Sequence, residues 1–469
     1  MNDVFFYFLF QGAQMGKLPV LSVLLLCLLL VGVNAATAQP VAQETAVQAT
    51  QAGQVTQAAP KVDTGDCSWV LISSALVLLM TPGLAFFYGG MVGRTNILAI
   101  LMQCFALLCV ISIQWVLFGY SLSFAPLKGF WGGFQWVGLA GVGVEPYQEY
   151  GATIPHQLFA LFQMMFAIIT PALIVGAFAG RMKFSAFLIF MILWSTFVYD
   201  PICHWVWGVG GWLKELGVLD FAGGIVVHIS AGIAALMTAI FIGKRNGTTS
   251  GYILPHNLPF TILGTALLWF GWFGFNAGSA LGANHLAVNA FLVTNTSGAA
   301  AGLTWALIDW VFHEKPTMLG TATGAIGGLA AITPAAGFVS PLFAMVIGAL
   351  ASVFCYFAVT VIKPKFGYDD ALDVFGVHCI GGVWGVLATG LFASKAVNPA
   401  GADGLFFGNP KQFMIQLLAA GVTLVYSFVA SLIIYKAVDL FITVRVKEKE
   451  EIMGLDLTQH NENAYTILE

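Results

Sequence analysis

Charge is what this chain has least of. Only 9% of its 469 residues are Asp, Glu, Lys or Arg, and the formal net charge of -4 rests on so few groups that it carries little meaning. A soluble domain needs a charged exterior, so that class is excluded. Basic runs are missing, which leaves nucleic-acid binding without support. The seven cysteines show no metal-ligand spacing, so neither a metal nor another cofactor is expected. Cys104, Cys109, Cys355 and Cys379 fall inside apolar runs and Cys27 in the leader. A Cys67–Cys203 disulfide is conceivable, although buried free thiols are common. What the chain has in abundance is apolar surface: 59% of residues are hydrophobic and the mean hydropathy is +0.87. This is the composition of a polytopic membrane protein.

Lys17, the apolar stretch from Leu18 to Val33 and the small residues Ala36-Thr37-Ala38 read as a secretory signal peptide over 1–38, with Met15 an alternative start. Residues 39–66, rich in Ala, Gln, Thr and Val and punctuated by Pro40 and Pro60, read as an extracytoplasmic linker without a core. A membrane domain is expected over 67–440 and a polar cytoplasmic tail over 441–469. Eleven apolar runs can cross about 30 Å of hydrocarbon. They lie at 68–91, 96–122, 155–180, 183–207, 222–243, 258–280, 285–312, 317–336, 339–362, 374–394 and 412–440.

Arg94, Arg181, Lys183, Lys244, Arg245, Lys315, Lys363 and Lys365 fall in alternate connections, and Arg445, Lys447 and Lys449 follow the last run. The other connections hold only Lys128, Lys214, Lys395 and Lys411. The positive-inside rule then places the N-terminus outside and the C-terminus in the cytoplasm, as an odd number of spans requires. Five spans end in a helix containing His228 and the next five in one containing His378. An odd-numbered unit repeated once must be inverted across the membrane. The expected fold is therefore all-α, with two inverted five-helix repeats plus one C-terminal helix.

His228 and His378 each follow an aspartate, Asp220 and Asp373, by a short interval. An ionisable group at membrane depth normally faces a pathway or another buried group, and two in corresponding helices suggest a shared conduit. A hydrogen-bonded pair that merely stiffens the core is the alternative. Phe162, Phe166, Trp205, Trp207, Trp272, Phe275 and Ser279 place aromatics and a hydroxyl near the outer ends of spans three, four and six. Such rings attract a cation, or form an interfacial belt. Asp200, before Pro201, either adds negative potential to an outer vestibule or is a protonated or hydrogen-bonded residue at a helix end. Asp309 and Glu314 read as loop-end charges, His204 and His256 as interfacial.

These residues, with Phe87-Tyr88-Gly89-Gly90, Asp220-Phe221-Ala222-Gly223-Gly224, Pro255-His256-Asn257-Leu258-Pro259 and Asp373-Val374-Phe375-Gly376-Val377-His378, resemble the ammonium transporter family (the ammonium/methylammonium permease and Rh superfamily) from about residue 67 to the C-terminus. The resemblance implies a transporter rather than an enzyme, in a multi-pass bacterial membrane protein. It assigns Phe166, Trp207 and Ser279 to an outer ammonium-recruitment site, Phe166 and Phe275 to a stacked gate, and His228 and His378 to the pore. Asp220 becomes the carboxylate that shapes the outer site. The implied cargo is ammonium or ammonia, with methylammonium as analogue, and the implied assembly a homotrimer. Gly454-Leu455-Asp456 and the stretch His460 to Tyr465 look like the family's regulatory tail, which accompanies docking of a PII-type signalling protein. Trp207 and Ser279 disfavour a gas channel of the Rh type. A tail this short disfavours a sensor with a signalling domain, and no intramembrane-protease motif is present.

Overall fold

The computed structural model describes residues 61–246 and 254–465. The expected signal peptide and nearly all of the expected linker lie outside the described residues. Within them the chain is all-helical, apart from one isolated antiparallel bridge between Met182 and Arg445.

Among the described residues ten helices are long and apolar enough to cross a membrane. They are α1 (Thr64–Met91), α2 (Ile97–Phe124), α3 (His156–Phe178), α4 (Phe184–Leu216), α5 (Gly224–Ile242), α6 (Leu258–Gly278), α7 (His285–His313), α9 (Pro341–Phe366), α10 (Phe375–Phe392) and α11 (Pro410–Phe441). In the eighth place stands a shorter apolar helix, α8 (Met318–Ile332). The run expected over 317–336 ends in a turn after Ile332. At 15 residues α8 spans only about 22 Å. Its small side chains (Gly324, Ala325, Gly327, Gly328, Ala331) are buried against other helices, so it has no lipid-facing length to match. Two short helices, α12 (Glu448–Met453) and α13 (Leu455–His460), follow α11.

Helix α3 lies at the centre of the bundle and α11 at its edge: 89% of the α3 span is buried against 33% of α11. The central helices approach at glycines, where a side chain would collide. A Cβ on Gly232 of α5 would meet the Cys379 backbone of α10, and one on Gly382 of α10 would lie 3.0 Å from the His228 Cβ of α5. These glycines follow the two histidines by the same four-residue interval.

The inverted repeat leaves a second mark. Widened π-helical turns interrupt the fourth and fifth helices of each set: Ser195–Tyr199 in α4 and Gly224–Ile229 in α5, then Ala358–Ile362 in α9 and Phe375–Cys379 in α10. Such turns commonly sit at functional positions. Helix α5 starts beside Trp207 and ends at Gly243, whose carbonyl accepts from Arg181 at 2.7 Å. Helix α10 starts next to Asp369, which Arg181 also contacts. The two histidine helices therefore run in opposite directions.

The arginine-rich face is held by a network. Arg181 is fully buried; it donates to the Ala177 and Asp369 carbonyls and pairs with the Asp369 carboxylate at 3.3 Å. Arg245 pairs with the same carboxylate at 2.6 Å. Although burial opposes it, the two guanidiniums hold Asp369 below the usual carboxylate range. Composition alone suggests a disordered tail, yet α12 and α13 dock firmly. Arg445 bonds Glu451 at 2.9 Å and the Lys244 carbonyl at 2.6 Å. Asp456 accepts the Ala99 N–H at 2.8 Å, and the Leu455 N–H donates to Asn96 at 2.9 Å. A tail carboxylate thus caps the start of α2.

Cys67 and Cys203 are free thiols. Cys67 sits in the first turn of α1 near Thr153 and Cys203 is fully buried in α4. His204 is fully buried within the protein, with its ring nitrogens against the carbonyls of Ser123 at 3.1 Å and Leu127 at 2.9 Å. Asp309 is likewise buried, accepting from the Thr317 hydroxyl at 2.5 Å. His256 is half-buried, bonded to the Val92 carbonyl and to Tyr465 of the tail.

Candidate functional site

Helix α5 cannot begin as an ordinary helix. Gly223 takes a left-handed φ of 114°, and the Asp220 carboxylate turns back over the helix start. Its oxygens accept the N–H groups of Gly223 (2.9 Å), Gly224 (2.6 Å), Ile225 (2.8 Å) and Val226 (3.2 Å). Those are the donors a helix N-terminus leaves open. Burial pushes Asp220 up to about 6, while the four amides pull the other way. The Asp220 backbone carbonyl accepts the Trp207 indole N–H at 2.8 Å. One residue thereby ties a helix start to an aromatic wall.

Trp207 is partly exposed at one end of the bundle. Its ring meets Phe166 edge-on, with centroids 6.0 Å apart and planes at 90°. Phe166 packs on Phe275 at 4.3 Å and 36°, and both phenyl rings are buried. Ser279, one turn past Phe275, is partly exposed and donates its hydroxyl to the Phe275 carbonyl at 2.9 Å. Both oxygen lone pairs stay available for a donor.

Below the phenyl pair lie the histidines. The His228 ring is 6.1 Å from Phe275 and 5.5 Å from Trp272, and Trp272 is fixed by its N–H to Thr333 at 2.9 Å. The two imidazoles stand 5.3 Å apart, 13° from parallel. Both ring nitrogens of His228 and Nδ1 of His378 are buried without a hydrogen-bond partner among the described residues. Leaving such groups unpaired costs about 1–3 kcal/mol each, so a small molecule able to donate to or accept from them would be favoured there. They face an apolar cavity lined with Leu84, Leu173, Val227, Leu268, Trp272 and Ile326. A second cavity continues from His378 past Tyr88, Thr323 and Asp373.

The sequence pairs His378 with Asp373, but the partner is Asp370. It precedes His378 by the eight residues that separate Asp220 from His228, and it accepts the Phe375 N–H at 2.7 Å. Asp373 instead occupies the place of Gly223. It has a left-handed φ of 60° and its carboxylate pairs with Lys363 at 2.6 Å. The signal is in the chain: an aspartate, a histidine eight residues on and a glycine four further occurs at Asp220, His228 and Gly232, and again at Asp370, His378 and Gly382. Asp200 is fully buried and accepts from Gln114 at 2.8 Å and Ser123 at 3.1 Å, which makes it the hydrogen-bonded alternative. Among the described residues no cluster of His, Cys, Asp and Glu could hold a metal ion.

The model of the Ammonium Transporter Family matches residues 68–465. The chain belongs to the ammonium transporter family. It is 54% identical to an ammonium transporter of Bacillus subtilis over 402 residues, covering 86% of this chain and 98% of that one. The crystal structure of Candida albicans Mep2 superposes with a TM-score of 0.78 at 37% identity, covering 86% of this chain and 91% of that one. A structure described as a sensor Amt protein gives 0.76 at 28% identity, covering 84% and 98%. In this family member, the residues that sequence likeness assigned to recruitment, gate and pore form one column: Trp207, Phe166, Phe275, His228, His378.

Proposed function

We propose that this protein is an ammonium transporter, which captures NH4+ at Phe166, Trp207 and Ser279 and passes NH3 between His228 and His378. The observation that carries the reading is the pair of stacked imidazoles without hydrogen-bond partners, beneath a closed pair of phenyl rings. With the Trp207 end taken as outer, following the charge distribution, ammonium meets two ring faces and a hydroxyl oxygen. Cation–π attraction contributes about 0.5–1 kcal/mol exposed and about 2 or more once desolvated. Moving a charge to the bilayer centre costs about 2.5–3.5 kcal/mol on insertion scales and about 10–17 in simulations. Ring attraction concentrates ammonium at the mouth but does not offset the larger figure. Ammonia, left when NH4+ passes its proton to water at the mouth or to a relay along His228 and His378, avoids it, and its N–H groups and lone pair suit the free imidazole nitrogens. Potassium has no proton to shed and stays outside. Asp220 shapes the capture site through Trp207 without touching the ion.

The proposal extends to a homotrimer with one pore per subunit, to methylammonium as an analogue, and to a PII-type signalling protein docking beside α12 and α13. It is tested in reconstituted vesicles by recording ammonium-dependent current together with labelled methylammonium uptake. His228→Ala and His378→Ala are expected to alter current and selectivity against potassium. Unchanged values in both variants refute the histidine pathway. A protein that binds ammonium yet takes up no methylammonium in cells lacking their own transporters is a sensor instead.

A further inference from the structure

Lys214 lies on the short helix Trp212–Leu216 that ends the α4 span. Its ammonium group donates to the backbone carbonyl of Trp207 at 3.0 Å and rests over the Tyr150 ring, 5.5 Å from the centroid. Tyr150 is itself fixed: its hydroxyl donates to the Phe124 carbonyl and accepts the Val209 N–H at 2.9 Å. Among the described residues no carboxylate lies within ion-pair distance of Lys214. Its neighbour Glu215 is occupied by Lys128 at 2.9 Å, and Glu149 acts on it only at longer range. A primary ammonium is therefore pinned by a carbonyl and a ring face, on the very residue whose indole forms the mouth of the column.

We propose that Lys214 is a positioned charge that sets the affinity of the outer site. It is a fixed positive charge that lowers the occupancy of every cation at the Trp207 mouth, and so sets the KM for ammonium above what the rings alone would give. The inference rests on the outer-site reading above. Two unit charges some 6–10 Å apart at a wet protein surface repel enough to change occupancy about two- to tenfold. The field acts on any monovalent cation, whereas ammonium alone leaves the site by losing its proton. Lys214 therefore lowers the occupancy of ammonium, potassium and caesium by the same factor, and any choice among them lies in the proton that only ammonium can lose.

The test uses the full chain in vesicles, measuring methylammonium uptake for Lys214→Gln and Lys214→Arg beside Trp207→Leu. Lys214→Gln should lower KM about two- to tenfold with little change in maximal rate, and should raise inhibition by caesium. The difference should shrink at about 1 M salt, where the Debye length falls to about 3 Å, and Lys214→Arg should behave like the unaltered protein. If Lys214 only tethers Trp207, Lys214→Gln raises KM instead, and that result, or an unchanged KM, overturns the proposal. A Trp207→Leu change that raises KM while Lys214→Gln does nothing overturns this inference alone. No change of KM in Trp207→Leu removes the outer site and the inference with it.

Discussion

The two histidine helices solve one problem with unequal means. At the start of α5, Asp220 satisfies four amide donors and the left-handed hinge is a glycine, Gly223. At the start of α10, Asp370 accepts the Phe375 N–H with the Val374 N–H also close, and its Oδ1 is buried without a full hydrogen bond among the described residues. The hinge there is Asp373, at φ 60° and braced by Lys363. The repeat has kept the carboxylate, the histidine and the glycine, and let the surrounding cap diverge. The Asp220 end is a saturated, rigid frame beside the aromatic mouth. The Asp370 end satisfies fewer donors, and it is Asp373, not Asp370, that lines the second cavity.

Truncating the two carboxylates should give the largest contrast. Each buried N–H left unpaired costs about 1–3 kcal/mol, so Asp220→Ala should abolish accumulation of folded protein while Asp370→Ala lowers the unfolding temperature by several degrees. Equal losses in the two variants would break the comparison. A steric test follows. Gly232→Val and Gly382→Val should each stop methylammonium uptake, because either side chain pushes α5 and α10 apart at the imidazoles. Normal uptake in either would show that the crossing can spread without harm.

The pH dependence is smaller. Burial pushes both carboxyls up to about 6, against an ordinary value near 3.9. A carboxyl with a raised folded pKa binds its proton more tightly when folded. The stability it lends is therefore complete below about pH 4, falls as pH rises to about 6, and is flat above. Its ceiling is about 3 kcal/mol per group. Asp370→Asn should remove its share of that slope from the unfolding temperature measured between pH 4 and 7; an unaltered slope contradicts it. Smallest of all is the hinge exchange. Asp373→Gly should leave stability within about 1 kcal/mol, since a left-handed backbone suits glycine. Gly223→Asp should cost more, because a Cβ there would sit 2.6 Å from Val227. The reverse order would mean that Lys363, not backbone geometry, decides the Asp370 end.

Much of the architecture was legible in the chain. Long apolar runs with few charges, arginine and lysine in alternate connections and two histidines in the fifth and tenth runs led to the helical bundle. Resemblance, rather than periodicity, singled out Trp207, Phe166, Phe275 and Ser279. The carboxylate at the start of α10 was misread because Asp373 is nearer to His378, and nearness says nothing about which side chain turns back over a helix. The π-helical turns also escaped, since one extra residue in a turn barely disturbs an apolar run. Arg181 looks like a loop cation until Gly243 and Asp369, from distant segments, are seen to enclose it. The tail read as disordered because its partners, Thr95, Asn96 and Ala99, lie at the other end of the chain.

That last contact bears on how the molecule is made. Asp456 supplies the missing acceptor for Ala99, 357 residues earlier. A ribosome finishes α2 long before it reaches that carboxylate, so the first turn of the helix lacks this acceptor until α11 and the residues after it have been made. A polypeptide interrupted before Asp456 lacks the carboxylate that caps its second membrane helix.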